Sequence, residues 1–245
     1  MLRNKSNGEF TCVSNKHCEN IDCMSKRVLY LGLDPTHYQS NGQVTHWPII
    51  QIVPRPLSDP SICKAFSHFA HYSHVIVTSK STVAILQNYL PLHGISLQTW
   101  AKKATLAVGQ ITANHLKAYG ITPIRVAQEE TAEGIIFELK QISLEQAYVF
   151  WPHSSQARST IKEFLLAQNI HHTTCILYDP KPQIPRELPP LETFEEIVFT
   201  SPSTVKAFLQ IFGQFPSHAR LVSIGPITSR FLEEQKKNVY ESMDL

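Results

Sequence analysis

The sequence is poor in charge, and the charge it has nearly cancels. Asp, Glu, Lys and Arg make up 17% of the 245 residues, and the formal net charge is +2. Lys and Arg are scattered, without a basic stripe or interleaved aromatics, which argues against a nucleic-acid partner. An anionic partner would have to be held locally. No apolar run approaches the roughly 20 residues of a membrane-spanning helix. The stretch Met1 to Lys26 is polar and lacks the apolar centre of a secretory signal, so a cytoplasmic protein with no membrane partner is expected. The cysteines, at 12, 18, 23, 63 and 175, contain no Cys-x-x-Cys pair. Cys12, His17, Cys18 and Cys23 sit in a polar leader at spacings unlike a zinc site, so no metal is expected and reduced thiols are. Met24 offers an alternative start. Gly-x-Gly-x-x-Gly and Gly-x-x-x-x-Gly-Lys-Ser/Thr are both missing, which leaves dinucleotide and nucleoside triphosphate cofactors without support. Spacing defines no Ser-His-Asp, Cys-His or paired-carboxylate arrangement either.

What is present is a core and a repeat. Hydrophobic residues make up 42% of the chain, enough for one large or two small α/β domains. Val75-Ile76-Val77-Thr78-Ser79-Lys80-Ser81-Thr82-Val83 returns as Ile197-Val198-Phe199-Thr200-Ser201-Pro202-Ser203-Thr204-Val205. Each copy reads as a buried strand stopping at Thr-Ser, followed by a helix with a hydroxyl cap. A second pair follows in the same order: Leu106-Ala107-Val108-Gly109-Gln110-Ile111-Thr112-Ala113 and Val222-Ser223-Ile224-Gly225-Pro226-Ile227-Thr228-Ser229. Two pairs in one order imply an internal duplication and two similar α/β lobes.

Strands and helices alternate along the chain, which argues for parallel sheets with helices packed on them. Val28 to Leu33 is a strand, and the gap Asp34 to His46, with Pro35 and Ser40-Asn41-Gly42, has room for little or no crossover helix. Ile49 to Val53, bracketed by Pro48, Pro54 and Pro56, is a sheet edge or linker. A short helix spans about 62–71. Val83, Leu86 and Leu90 line the helix after the first Thr-Ser strand, which Pro91 ends. Further strands are expected over 105–108, 124–127, 147–151 and 173–178, with helices over 112–119, from 131, and through Ile161, Phe164 and Leu165 to an end at Asn169. Prolines at 180, 182, 185, 189 and 190 keep the following stretch extended, as a return crossing. After a last helix, 227–236, Val239 and Tyr240 are left to make a strand.

In such sheets ligands lie beyond the carboxyl ends of the strands, where helix N-termini present free N–H groups. Thr78-Ser79, Gly109 to Thr112, Pro152-His153-Ser154-Ser155, Thr200-Ser201 and Gly225 to Thr228 fall at those ends. They offer hydroxyl and N–H donors and little fixed charge, a lining suited to a ligand rich in carboxylates. Helix caps account for the same hydroxyls equally simply. His153 and Arg158 read as a local polar face or as substrate contacts. Tyr178 ends an apolar strand at the lobe junction, where its phenol can donate a hydrogen bond or act as a weak acid, or pack against the proline linker.

Taken together, Val-Thr-Ser-x-Ser-Thr-Val, Ala-Val-Gly-x-x-Thr-Ala, Thr131-Ala132-Glu133-Gly134, Arg158 with apolar residues at 161 and 165, Tyr178, Phe-Thr-Ser-Pro-Ser-Thr-Val and Ile-Gly-Pro-x-Thr resemble the uroporphyrinogen-III synthase family from about Val28 to Leu232. The resemblance implies two flavodoxin-like α/β lobes with parallel sheets, joined by a two-strand linker: lobe one from 27–48 plus 182–245, lobe two from 54–173, linker strands at 49–53 and 174–181, and 1–26 as a leader. It implies cyclisation of hydroxymethylbilane, a linear tetrapyrrole carrying carboxylates on every ring, to uroporphyrinogen III, with inversion of ring D, loss of water and no cofactor. Tyr178 matches the family's cleft tyrosine, Thr112 and Thr228 the threonines after the glycine turns, and Ser79, Ser201 and Ser203 the hydroxyls at helix starts. Departures are Asn169 in place of a glycine, Ile227 in place of a second threonine, and a shortened lobe one. The shortening leads us to expect an apolar face on lobe one, covered by the leader or by a partner subunit if the protein is not a monomer. A non-enzymatic two-lobed binder of a small polyanion and a degenerate synthase are the competing expectations.

Overall fold

The computed structural model describes residues 25–184 and 187–241; the leader up to Met24 lies outside the described residues. The chain enters one lobe with β1 (Arg27–Tyr30) and β2 (Gln43–His46) and leaves along β3 (Ile50–Pro54). It then builds α1 (Pro60–Ser67), β4 (His74–Val77), α2 (Lys80–Leu92), α3 (Leu97–Ala101), β5 (Ala104–Val108), α4 (Gly109–Ala118), β6 (Arg125–Ala127), α5 (Ala132–Leu139), β7 (Tyr148–Ser154) and α6 (Thr160–Ala167). It returns along β8 (His171–Pro182) and finishes with β9 (Glu196–Phe199), α7 (Pro202–Phe212), β10 (Arg220–Ser223) and α8 (Pro226–Glu241).

Lobe one is a parallel sheet in the order β10-β9-β1-β2. Lobe two runs β8-β7-β4-β5-β6, also parallel, with β3 added antiparallel to the far half of β8. Ile50 to Pro54 pair with Pro182 to Tyr178, and this ribbon connects the lobes. Alternation along each strand of lobe two explains why it is buried on both sides. Val75, Val77, Ala107 and Phe150 face one core with Phe66, Leu86, Trp100 and Leu116. Ile76, Leu106, Val149 and Trp151 face the other, with Ile135 and Leu139 of α5 and Ile161 and Leu165 of α6.

In lobe one Leu29, Leu31, Ile197 and Phe199 pack with Val205 and Phe208 of α7 and Leu232 of α8, and Ile49 and Ile50 at the base of the ribbon join this core. The opposite face is small: Val28, Tyr30 and Val198, with Tyr38 of the 31–42 segment packed against it. Tyr38 lies 5.2 Å from Tyr30 between ring centroids and donates its hydroxyl to Glu196, which also pairs with Lys26. At the centre of the apolar face for which a cover was expected, Val28 and Val198 are fully inaccessible, and the cover expected from the leader up to Met24 lies outside the described residues.

Several boundaries differ from the sequence reading. No helix joins β1 to β2, as the short gap required, but β2 lies inside that gap; its residues Gln-Val-Thr-His are all exposed, so no hydrophobic pattern marks it. Val239 and Tyr240 continue α8 rather than form a strand. α2 carries Pro91 inside its last turn and runs on to Leu92, one residue past the expected end. α4 starts at Gly109, three residues earlier than expected. Asn169 adopts φ 53°, the left-handed cap anticipated for it.

Candidate active site

Strand order reverses between β9 and β1 in lobe one and between β4 and β7 in lobe two. Carboxyl ends at such reversals open a crevice between diverging connections. Here the crevices face each other. Two adjoining cavities of about 700 and about 610 Å³ lie between the lobes and share Thr78, Ser79, Val108, Glu130, Thr200 and Ser201. Gly32 makes the close approach in lobe one possible, since a methyl group there would collide with the Thr200 side chain.

Each repeated Thr-Ser end is fixed by its own helix. Ser79 is extended (φ −159°) and its Oγ accepts the Thr82 N–H at 3.1 Å, capping α2. Ser201 does the same for α7, accepting the Thr204 N–H at 3.3 Å while Thr204 Oγ1 accepts the Ser201 N–H at 3.2 Å, a reciprocal capping arrangement. Beyond the cap the copies diverge. Ser201 Oγ lies 2.7 Å from Ser203 Oγ within its own lobe, whereas Ser79 Oγ lies 2.8 Å from the hydroxyl of Tyr178.

Tyr178 is the residue at which β8 changes partners: it pairs with Ser154 on one side and Pro54 on the other. A bulge between His153 and Ser154 shifts the register there, and bulges of this kind re-aim side chains beside functional sites. The Tyr178 carbonyl accepts the Ser155 N–H at 3.0 Å, and Arg55 on the ribbon is bound to Asp179 at 3.2 and 3.3 Å. The phenol is 5% exposed and lines the smaller cavity.

Of the other expected residues, Thr112, Ser154 and Ser203 line the smaller cavity, Arg158 and Thr228 the larger, and Thr78, Thr200 and Ser201 both. His153 and Ser155 line neither. The His153 ring stacks on Trp151 at 4.3 Å and its Nδ1–H donates to the Ser154 carbonyl at 2.8 Å; burial pushes its pKa below the ordinary value, so it is a neutral packing group. Ser155 is exposed beside the ribbon. Arg158 is engaged by Glu133 in a bidentate pair at 2.8 and 2.7 Å.

Residues that sequence reasoning passes over complete the lining. Lys80, first residue of α2, reaches across the cleft to Asp34, with 2.6 Å between Nζ and Oδ2. The Lys80 ammonium, followed by Thr36, holds the Asp34 carboxyl far below the usual range. Glu130 packs its carboxylate against Gly109 at the start of α4, a helix whose N-terminus has no side-chain cap. Trp151 lines the larger cavity with its indole N–H buried and unpaired, a state that costs about 1–3 kcal/mol. Lys80 stands in the repeated motif itself, where Pro202 in the other copy could have marked it. Nothing in the sequence points to Asp34, Glu130 or Trp151. Among the described residues no group of His, Cys, Asp and Glu is placed to hold a metal ion, and no helix is long and apolar enough to cross a membrane.

The likeness of this architecture to known proteins is extensive. A curated protein of Methanocaldococcus jannaschii, provisionally named as a uroporphyrinogen-III synthase, is 27% identical over 177 residues, covering 66% of this chain and 70% of that one. The crystal structure of a substituted uroporphyrinogen III synthase from the extremely thermophilic bacterium Thermus thermophilus superposes with a TM-score of 0.60 at 17% identity, covering 86% of this chain and 90% of that one. That of uroporphyrinogen-III synthetase from Helicobacter pylori 26695 gives 0.58 at 22% identity, covering 86% and 89%. These structures share the fold. The family profile for uroporphyrinogen-III synthase HemD matches residues 36–243, nearly the whole described chain, and with that span the protein belongs to the uroporphyrinogen-III synthase family.

Proposed function

We propose that the chain binds hydroxymethylbilane between its lobes, in the cytoplasm and as a monomer, and closes it to uroporphyrinogen III with inversion of ring D and loss of water. The observation that carries this reading is the Tyr178 hydroxyl held 2.8 Å from Ser79 Oγ on the wall of a cleft into which both lobes bring hydroxyls and helix starts. When Ser79 donates its proton to the phenol oxygen, the phenol O–H is free to point into the cavity. There it can hydrogen-bond the departing hydroxyl of the substrate and ease formation of the azafulvene. Attack through the already substituted carbon of ring D then gives a spiro intermediate, whose fragmentation and reclosure invert that ring.

Most of the protein's task is conformational. The linear tetrapyrrole closes spontaneously to the uninverted isomer, so an enzyme must fold it before it closes. Thr78, Thr112, Thr200, Ser201, Ser203 and Thr228, spread over both lobes, serve this by binding carboxylates at several points; Ser154 and Arg158 border the same space. The test is a coupled assay in which hydroxymethylbilane is generated in situ, the products are oxidised and the type I and type III uroporphyrins are separated. Type III in proportion to added protein is expected. Type I alone would overturn the reading and favour a polyanion-binding protein.

A further inference from the structure

We propose that Lys80 is a substrate-binding residue, held by Asp34 until the tetrapyrrole enters and then handed over to a substrate carboxylate. The assignment rests on the reading that the ligand is a polycarboxylate. Its starting point is the scarcity of cations where such a ligand must lie. Among the cavity-lining residues Lys80 and Arg158 face Asp34, Glu129 and Glu130, so the cleft carries more acid than base. Each cation is already paired with a carboxylate of the protein.

The position of Lys80 is unfavourable for its own helix. As the first residue of α2 it puts an ammonium at the positive end of the helix dipole, and no acidic residue occupies that first turn. Its compensation comes from the other lobe, from a carboxylate on the segment after β1. The two side chains remain 29% and 35% exposed, so neither is locked into a buried pair and the contact is weak enough to exchange. The equivalent position in lobe one is Pro202, which has no charge to offer. Lys80 therefore gives the pseudo-symmetric cleft a polarity. A substrate carboxylate placed there meets an ammonium, the start of α2 and the adjoining Ser79 at once, next to the Tyr178 phenol.

The competing role for the same pair is a simple clasp between lobes, and the two roles predict opposite signs. Removing either partner of a clasp has the same effect. If Asp34 instead competes with substrate for Lys80, removing the lysine weakens binding and removing the aspartate strengthens it. The measurement is the affinity for uroporphyrin III, the stable oxidised product, by fluorescence anisotropy, alongside KM for hydroxymethylbilane in the coupled assay. Lys80→Met is expected to weaken both about tenfold and Asp34→Asn to tighten both about threefold, with the double variant resembling Lys80→Met. Lys80→Arg, which keeps the charge, stays within about threefold of wild type, and the difference between Lys80→Met and Asp34→Asn narrows in high salt. Shifts of one sign, or shifts under about twofold in both single variants of an active enzyme, would overturn the proposal while leaving the synthase reading intact. A wild-type protein that yields no type III isomer but shows the opposite-sign binding shifts would overturn the synthase reading alone.

Discussion

The two lobes are built from the same strand, hydroxyl cap and helix, yet they are not equivalent partners. Lobe two buries its sheet between two helical layers, with separate cores on each face. Lobe one has α7 and α8 on one face and, among the described residues, a small cluster with Tyr38 and Val222 on the other. The caps differ in the same sense. In lobe one Ser201 is tied to Ser203 and Thr204, inside its own motif. In lobe two Ser79 and its neighbour Lys80 are turned outward, to Tyr178 on the ribbon and Asp34 on the opposite lobe. A repeated device is closed on itself in one lobe and linked to the ribbon and the opposite lobe in the other, and under the proposed function the second is the wall that carries the chemistry.

The largest effect should come from attacking the thinner lobe. Phe208 is fully buried and sits among Phe199, Phe212 and Phe215, with centroids 5.3, 4.6 and 5.9 Å away. Phe208→Ala should cost about 3–5 kcal/mol. If the lobes open separately, hydrogen exchange will show β9 and β10 losing protection while β4 and β5 keep it. Equal loss in both would mean that the ribbon welds them into one cooperative unit and that the structural contrast has no energetic counterpart.

Next in size is the active wall. Tyr178→Phe should lower kcat about a hundredfold with little change in stability, since a positioned proton donor is worth about that much and the ring still fills its place. Full activity in this variant would remove Tyr178 from the chemistry. The two caps then provide a paired comparison. Ser79→Ala and Ser201→Ala should each cost about 1 kcal/mol of stability through loss of the cap. Only the first releases the phenol, so kcat should fall in Ser79→Ala, whereas Ser201→Ala should act on KM. Equal kinetic effects would mean that the caps matter only as caps.

How far this asymmetry is legible in the sequence follows from the kind of signal each part leaves. Buried strands and amphipathic helices leave periodic patterns, so the alternating elements, the duplication and the strand-end hydroxyls can all be read. β2 leaves none, because all four of its residues are exposed, and the end of α8 is missed because Val239 and Tyr240, an apolar pair after a polar run, read as a last short strand. The partner of Tyr178 can be expected in the cleft but not named, since Ser79 is 99 residues away. His153 is drawn in by its place at a strand end. Alternation along β7 puts it on the same face as Trp151, on which its ring stacks, and so among packing groups and not in the cleft. Asp34 belongs to an irregular segment whose path no local rule predicts.

The smallest effect concerns the other cation of the cleft, and its sign can be worked out. Arg158 holds the Glu133 carboxyl down at about 2 against an ordinary 4.5, chiefly through the bidentate hydrogen bonds. A carboxyl lowered by folding contributes stability above its unfolded value, and the contribution is lost as pH falls through the folded one. Both side chains are well exposed, at 40% and 52%, so solvent screening leaves the pair no more than about 1 kcal/mol. Glu133→Gln should therefore be slightly less stable than wild type at neutral pH, with the gap closing between pH 4.5 and about 2 and shrinking in salt. A gap that persists to low pH would point to the lost first-turn acid of α5 packing rather than pairing. The comparison with Asp34 would then separate a carboxylate that competes with substrate across the lobes from one that only trims a helix end within its own.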